Sequence, residues 1–179
     1  MVLATGVASE NVFAALNAMR PVRGRMELAA IRSNGASIFV DYAHTPDALA
    51  TALKSLRRHA MGRLVVVFGA GGDRDHSKRK LMGQVASEFA DYTFLTDDNP
   101  RNEEPSEIRA MVLAGAPNSI EVADRAEAIL RAVDFLQAGD TLLIAGKGHE
   151  SGQIVGSDIL PFDDVEQASI AVAALEGAY

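Results

Sequence analysis

Residues 64–80, LVVVFGAGGDRDHSKRK, contain the pattern that decides the fold. Five apolar, mostly β-branched residues come first, a glycine-rich charged loop follows, and a helix is predicted from about residue 78 to 90. A strand that is apolar on both faces is typical of a parallel sheet covered by helices. The run TLLIA, 141–145, is of the same kind and ends in the loop GKGHE, 146–150. Both segments predict a buried strand followed by a polar loop.

Further strands and helices alternate on either side of these runs. Strands are predicted in SIFVDYA (37–43), YTFLT (92–96), SIEVA (119–123) and DILPF (158–162). Helices are predicted after a Thr45 cap, near Pro105, over 124–136 and after Asp163-Asp164. We therefore predict an α/β, Rossmann-like fold, in which a mostly parallel sheet has helices on both faces.

The beginning of the chain adds a hairpin and a helix. MELAAIR (26–32) and the strand after it flank Asn34-Gly35, a dipeptide typical of two-residue hairpin turns, so an N-terminal antiparallel hairpin is predicted. Residues 8–20 have helical apolar spacing, with Ser9 as the predicted N-cap and Pro21 as the end. Because no strand precedes this helix, we interpret it as a remnant of something upstream.

Composition excludes several classes of protein. The chain has 179 residues, of which 48% are hydrophobic, and 17 Lys and Arg against 24 Asp and Glu give a net charge of −7. This charge argues against general binding of nucleic acid or of an anionic membrane. No apolar run approaches the roughly 20 residues that span a bilayer, and the start lacks the charged region of a secretory signal. With no cysteine, disulfides and thiolate chemistry are excluded, and a cytoplasmic location is predicted.

The loops after the predicted strands carry the polar chemistry. In open parallel sheets, ligands bind at the carboxyl ends of the strands. The loops to consider therefore follow Val40, Phe68, Leu95 and Ile144.

The first two of these loops suggest nucleotide or anion contacts. Asp41 can accept hydrogen bonds from a ribose, and Tyr42 and His44 can pack on a base, although Asp41 and Thr45 can equally well cap the next helix. The second loop has several cations near a helix start: Arg74, Lys78, Arg79 and Lys80. It matches neither a Walker A loop nor GxGxxG, and an exposed basic helix start is the alternative.

The other two loops suggest an amino-acid ligand. Asn99-Pro100 sets a turn that would fix Arg101, whose guanidinium suits a carboxylate, and Glu150 could hold an ammonium group. The four histidines have no zinc-type spacing, so a metal site built by this chain alone is not expected. These groups describe a receptor for a small zwitterion better than a nucleophilic active site.

Six motifs together resemble the carboxy-terminal domain of the Mur ligases, in particular the members that add diaminopimelate. They are PVRGRME (21–27), VDYAHTPDAL (40–49), VFGAGGDRD (67–75), TDDNPR (96–101), DRAEAI (124–129) and AGKGHE (145–150). The resemblance implies that 21–179 form this Rossmann-like domain and that 1–20 are the last helix of a central ATPase domain. The P-loop of that central domain is absent from the chain, so we do not expect ligation by the chain alone, and no catalytic residue is assigned.

The resemblance also implies substrates and site residues. The family activates a carboxylate of UDP-N-acetylmuramoyl-L-alanyl-D-glutamate with ATP and Mg²⁺, held mainly by the central domain, and meso-diaminopimelate then attacks. By motif, the ATP contacts would be Arg25, Asp41, Tyr42 and His44. The diaminopimelate contacts would be Arg74, Asp98, Asn99, Pro100, Arg101, Gly146 and Glu150.

Arg101 predicts diaminopimelate rather than lysine, because lysine has no distal carboxylate and would leave this guanidinium unpaired. Two alternatives remain at this point: a folylpolyglutamate- or cyanophycin-type ligase, and a small-molecule-binding module without catalysis. For Lys147 and His149 the sequence favours loop shape and solvent contact over a catalytic role.

Overall fold

The computed structural model describes residues 6–18 and 22–177. The strands are β1 (Glu27–Ile31), β2 (Ser37–Asp41), β3 (Leu64–Phe68), β4 (Tyr92–Leu95), β5 (Ile120–Glu121), β6 (Thr141–Ala145), β7 (Gly152–Val155) and β8 (Asp158–Pro161). The helices are α1 (Ser9–Asn17), α2 (Pro46–Arg57), α3 (Ser77–Phe89), α4 (Pro105–Leu113), α5 (Arg125–Phe135) and α6 (Asp164–Glu176).

Six of the strands form one sheet in the order β1-β2-β6-β3-β4-β5, and β7 pairs with β8 in a separate hairpin. Within the large sheet β1 is antiparallel to β2, and all other neighbours are parallel. The turn between β1 and β2 contains Gly35 at φ +86°, a backbone conformation that glycine adopts without strain. The predicted Rossmann-like sheet and its N-terminal hairpin are confirmed.

Two hydrophobic layers cover the sheet. Every residue of β3 and β6 is buried. Alternate side chains of β3 point to opposite faces, so that Val65 and Val67 pack with α5 and α6, whereas Val66 and Phe68 pack with α2 and α3. Because both faces are covered, the polar groups of the domain collect at the ends of the strands.

Side-chain caps start three of the helices. Thr45 Oγ1 accepts from the Ala48 amide at the start of α2, and Asp124 accepts from Glu127 N at the start of α5. Asp163 accepts from two amides at the start of α6. The predicted cap at Ser9 is wrong, because α1 begins after Ala8 without a side-chain cap. The predicted stop at Pro21 lies outside the described residues.

The structure differs from the predicted strands in two places. The segment 119–123 forms only the two-residue strand β5, and DILPF is the second half of a hairpin whose first half, β7, was not predicted. The turn between β7 and β8 uses Gly156 at φ +57°. No helix among the described residues is long and apolar enough to cross a membrane.

Helix α1 lies before the sheet domain and presents Phe13 and Leu16 to solvent, each more than half exposed. The assignment of 1–20 to a preceding domain stays a prediction.

Candidate functional site

The carboxyl ends of β2, β6, β3 and β4 enclose a cleft of about 310 Å³. Most of the residues predicted for the site line it: Tyr42, His44, Arg74, Asp98, Asn99, Arg101, Gly146 and Glu150. Two of the four residues predicted for ATP therefore meet six of the seven predicted for the amino acid in one cleft. The charged groups of its lining are three guanidinium groups, one ammonium group and three carboxylates: Arg74, Arg79, Arg101, Lys78, Asp75, Asp98 and Glu150.

Three predicted residues do not line the cleft. Arg25 is exposed, and its guanidinium carbon lies 4.4 Å from the centroid of the Tyr42 ring. Asp41 lies in a separate shallow recess, where its two oxygens accept from Met26 N and Ala43 N, each at 2.8 Å. Asp41 therefore braces the backbone and is not the cap of α2. Pro100 is buried next to the cleft.

Two histidine rings lie close to the ring of Tyr42. The ring of His44 lies 4.4 Å from the Tyr42 ring and that of His149 lies 5.1 Å from it, measured between centroids. His44 Nδ1 is 2.8 Å from the Tyr42 carbonyl. Both histidines are exposed, as was expected for His149. Together with Arg25 these rings offer stacking surfaces next to the cleft.

Arg101 is fixed by its backbone as well as by its side chain. It adopts φ +53°, and its Nη1 donates to the Gly72 carbonyl at 2.8 Å. Its amide donates to Ile154 O at 3.0 Å and its carbonyl accepts from Gly156 N at 2.7 Å, which joins the loop to the β7–β8 hairpin. Nε and Nη2 have no hydrogen-bond partner among the described residues, so two nitrogens of the fork remain for a ligand.

Asp98 supplies a carboxylate without a donor. The residue is buried, and its backbone carbonyl accepts from Gln153 Nε2 at 2.7 Å. Within the described ranges no group donates to its side-chain oxygens. Gly146, at φ +120°, lies directly against this carboxylate, since an added Cβ would be 2.4 Å from Asp98 Oδ2. Glycine is therefore required there, and the carboxylate is available to a cationic group.

A hydrogen-bonded chain of three residues forms the neighbouring part of the cleft. Asn99 Nδ2 donates to Glu150 Oε2 at 2.9 Å, and Lys147 Nζ donates to Asn99 Oδ1 at 2.7 Å. Lys147 is completely buried, so the expected solvent contact is wrong for this residue. Burial lowers the pKa of Lys147, while the carboxylates of Asp98 and Glu150 oppose this shift.

Sequence reasoning missed the buried ion pair below the cleft. Arg125 Nε and Nη2 donate to Asp164, each at 2.8 Å, and Nη2 also donates to the Ala145 carbonyl at 3.0 Å. Both side chains are fully buried. Burial favours a lower pKa for Arg125, but the carboxylates of Asp164, Asp98 and Glu150 together raise this pKa above its usual value. A cation in the first turn of a helix opposes the helix dipole, and this could have marked Arg125 as a residue with a special partner.

The opposite side of the cleft is more open. Arg74 is exposed and donates to the neighbouring Asp73 carbonyl at 3.2 Å. Arg79, which the sequence grouped with Arg74, Lys78 and Lys80 as a cation for an anionic ligand or for an exposed helix start, is buried and donates to Glu103 at 2.8 Å. Lys78 lines the cleft near the start of α3. Among the residues that the structure describes, no three or more acidic or histidine side chains are grouped to hold a metal ion.

Comparison with known proteins identifies the family of this chain. Residues 24–148 match the family described as Mur ligase, glutamate ligase domain. The chain is 56% identical over 174 residues to the UDP-N-acetylmuramoyl-L-alanyl-D-glutamate–2,6-diaminopimelate ligase of Bradyrhizobium diazoefficiens, with 97% of this chain covered. It is 51% identical to the ligase of the same name from Agrobacterium fabrum, with 99% covered. The chain spans 36% of the length of each of these relatives.

Solved structures agree. One of a ligase with that name superposes with a TM-score of 0.81 at 40% identity, covering 97% of this chain and 36% of the other. The bifunctional folylpolyglutamate synthase/dihydrofolate synthase of Yersinia pestis, solved with AMPPNP and a manganese ion, shares the fold alone, at a TM-score of 0.58 and 16% identity over 87% of this chain and 32% of the other. The chain belongs to the Mur ligase family and forms its glutamate ligase domain.

Proposed function

We propose that this chain is the carboxy-terminal, amino-acid-binding domain of an ATP-dependent ligase that joins meso-2,6-diaminopimelate to UDP-N-acetylmuramoyl-L-alanyl-D-glutamate. The observation that carries the proposal is the charge pattern of the cleft, in which Arg74 and Arg101 accompany Asp98 and Glu150. The names of the relatives that match nearly the whole chain support the same reaction.

The cleft suits the end of diaminopimelate that does not react. This end carries one carboxylate and one ammonium group. Nε and Nη2 of Arg101, with Arg74 nearby, would bind the carboxylate through parallel hydrogen bonds. Asp98, whose carboxylate accepts no hydrogen bond from the described residues, and Glu150 would bind the ammonium group. Asn99, Pro100 and Gly146 would shape the site between them.

The other amine of diaminopimelate is the nucleophile. ATP would convert the D-glutamyl side-chain carboxylate into an acyl phosphate, the amine would attack its carbonyl carbon, and phosphate would leave. The role of this chain would be to hold the amine in line with that carbon, since orientation alone can lower a reaction barrier considerably.

ATP would contact the domain beside the same cleft. Tyr42 and His44, with the Arg25 guanidinium over the Tyr42 ring, offer a stacking surface. Asp41 accepts a hydrogen bond from Met26 N and so holds the backbone next to Arg25. The chain has no Walker A sequence. We therefore propose that the triphosphate and its Mg²⁺ are held mainly by a part of the enzyme outside this chain, and that the reaction takes place in the cytoplasm.

A folylpolyglutamate- or cyanophycin-type ligase shares the fold but is less well supported. The DNPR sequence, residues 98–101, adds the Arg101 guanidinium to the cleft, and GKGHE, residues 146–150, adds Glu150. Arg101 and Glu150 together suit a ligand that has a second zwitterionic end. A binding module without catalysis is disfavoured by the ligase names of the relatives.

The proposal is tested by ligation assays with the full-length enzyme that contains this chain. Formation of the UDP-linked tripeptide is measured with meso-diaminopimelate and with L-lysine, which differs only in lacking the distal carboxylate. We expect a kcat/KM at least about a hundredfold higher for diaminopimelate, because lysine leaves Arg101 unpaired. Equal use of the two amino acids, or no ligation with either, would contradict the proposal.

A further inference from the structure

The loop after β6 contains a lysine that the proposed ligand contacts do not use. Lys147 follows Gly146 directly, its side chain is completely buried, and it is absent from the lining of the cleft. Its Nζ donates to Asn99 Oδ1 at 2.7 Å and to the Gly152 carbonyl at 2.8 Å. Burying an ammonium group is unfavourable unless it is hydrogen-bonded or paired with a charge. Both hydrogen-bond partners are neutral, and the Glu150 carboxylate lies within ion-pair distance.

The first consequence concerns the Asn99 amide. Its oxygen accepts from two donors, Lys147 Nζ and Ile154 N at 3.0 Å. A flipped amide would place its NH₂ group against both donors and its oxygen against the Glu150 carboxylate. Lys147, together with the Ile154 amide, therefore fixes which end of Asn99 faces the cleft, and Lys147 is the only side chain of the two donors.

The second consequence concerns Glu150. Its Oε2 accepts from Asn99 Nδ2 at 2.9 Å and lies 3.7 Å from Lys147 Nζ. Oε1 has no hydrogen-bond partner in the described part of the chain. With one oxygen held on the inner side, the other is left for the cleft, which Glu150 lines.

We propose that Lys147 is a positioning residue for amino-acid selection: through the Asn99 amide it orients the Glu150 carboxylate toward the distal ammonium group of the incoming diamino acid. Lys147 itself does not touch the ligand. The inference rests on the proposed function, because it names a supporting residue for the same cleft.

A purely structural role is the competing explanation, since Lys147 also binds the Gly152 carbonyl at the start of the β7–β8 hairpin. The two roles predict different kinetics. Loss of a structural tie would lower thermal stability and change the kinetics of all three substrates together. Loss of a positioning contact would act on diaminopimelate selectively and would depend on Glu150.

The test uses the full-length enzyme with Lys147→Met, which keeps an unbranched side chain one atom shorter and removes the charge and the donors. We expect the KM for meso-diaminopimelate to rise about tenfold. The KM values for ATP and the UDP-linked substrate should stay within about twofold. Lys54→Met is the matched control, because Lys54 is exposed on α2 against Phe89, away from the cleft.

A double-mutant cycle with Glu150→Gln tests whether Lys147 affects diaminopimelate use through Glu150. If Lys147 acts through Glu150, Lys147→Met adds no further loss of diaminopimelate kcat/KM to the Glu150→Gln enzyme. Additive losses, or an unchanged diaminopimelate KM in Lys147→Met, overturn the positioning role. If Lys147→Met does not fold, the same cycle is measured with Lys147→Gln, which keeps a neutral donor.

The same data distinguish failure of the Lys147 role from failure of the ammonium site at Glu150. A Glu150→Gln enzyme that loses diaminopimelate affinity while Lys147→Met does not overturns only the role of Lys147. A Glu150→Gln enzyme with unchanged diaminopimelate kinetics overturns the role of Glu150 at the ammonium group and, with it, the role of Lys147, whereas the proposed ligation fails only if diaminopimelate is not used in preference to lysine.

Discussion

The two sides of the cleft are built differently. The side that we call the hairpin wall consists of Asp98, Asn99, Arg101 and Glu150. It is held by hydrogen bonds between the β4 loop, the β6 loop and the β7–β8 hairpin, with the buried Lys147 behind it. The side that we call the open wall consists of Tyr42, His44 and Arg74, the last two of which are exposed. The hairpin wall is therefore preorganised before a ligand arrives, whereas the open wall is left to be ordered by the ligand or by the rest of the enzyme.

The largest expected effect is on stability and concerns the support of the hairpin wall. Arg125→Met should lower the free energy of unfolding by about 3–5 kcal/mol, because it leaves the Asp164 carboxylate buried without its partner. Arg131→Ala is the control, since Arg131 pairs with Glu127 on the exposed face of the same helix and should cost less than about 1 kcal/mol. Urea unfolding at pH 7 measures both, and similar losses would mean that the buried pair is not a special support.

The next effect compares one arginine from each wall. Arg101→Asn removes the guanidinium, and asparagine tolerates the positive φ at this position. We expect a loss of about a hundredfold in kcat/KM for diaminopimelate, because this guanidinium is already oriented. Arg74→Asn should cost less than about tenfold, because the exposed Arg74 must first be ordered. Equal losses in the ligation assay would remove the distinction between the walls.

A smaller effect is expected beyond the open wall. Asp41→Ala removes the carboxylate that holds Met26 N and Ala43 N, so the position of Arg25 beside Tyr42 should loosen. The KM for ATP should rise about tenfold while that for diaminopimelate changes little. Asp47→Ala, in the same recess but exposed, is the control. An unchanged KM for ATP would leave Asp41 with a purely structural role.

The smallest effect is a pH dependence in the loop beneath Arg74. The hydrogen bond from Arg79, with further help from the Asp73 amide and the neighbouring charges, lowers the pKa of Glu103 from 4.5 to about 2. Since the folded pKa lies below the unfolded value, this contribution to stability is complete above about pH 4.5 and is lost as the pH falls toward 2. Urea midpoints between pH 5 and 2.5 should therefore fall less steeply for Glu103→Gln than for wild type. Glu88→Gln, on the exposed side of α3, should follow wild type.

The sequence predicted the features that depend on local pattern. Apolar runs located β3 and β6, Asn34-Gly35 located the first hairpin, and Thr45 was placed correctly as a helix cap. The strand-end rule also brought the correct loops together around one cleft. These features follow from neighbours in the chain or from the general geometry of parallel sheets.

Features that depend on distant contacts could not be predicted. Lys147 is buried because the β7–β8 hairpin and Asn99 cover it, and Arg125 finds its partner 39 residues away in α6. Arg101 was expected on a rigid turn, but its rigidity comes from hydrogen bonds to residues 154 and 156 rather than from Pro100 alone. The roles assigned to single residues by motif, including those of Arg25 and Asp41, stay predictions.

The bonds between Arg101 and the β7–β8 hairpin make the turn of that hairpin a natural reporter position. Gly156 N binds the Arg101 carbonyl, and the adjacent Ser157 is exposed. Since the chain contains no cysteine, Ser157→Cys would introduce a unique thiol here for attaching a fluorophore. A dye on this turn lies one residue from a direct backbone hydrogen bond to Arg101, so its emission should register occupancy of the cleft without any group being placed inside it.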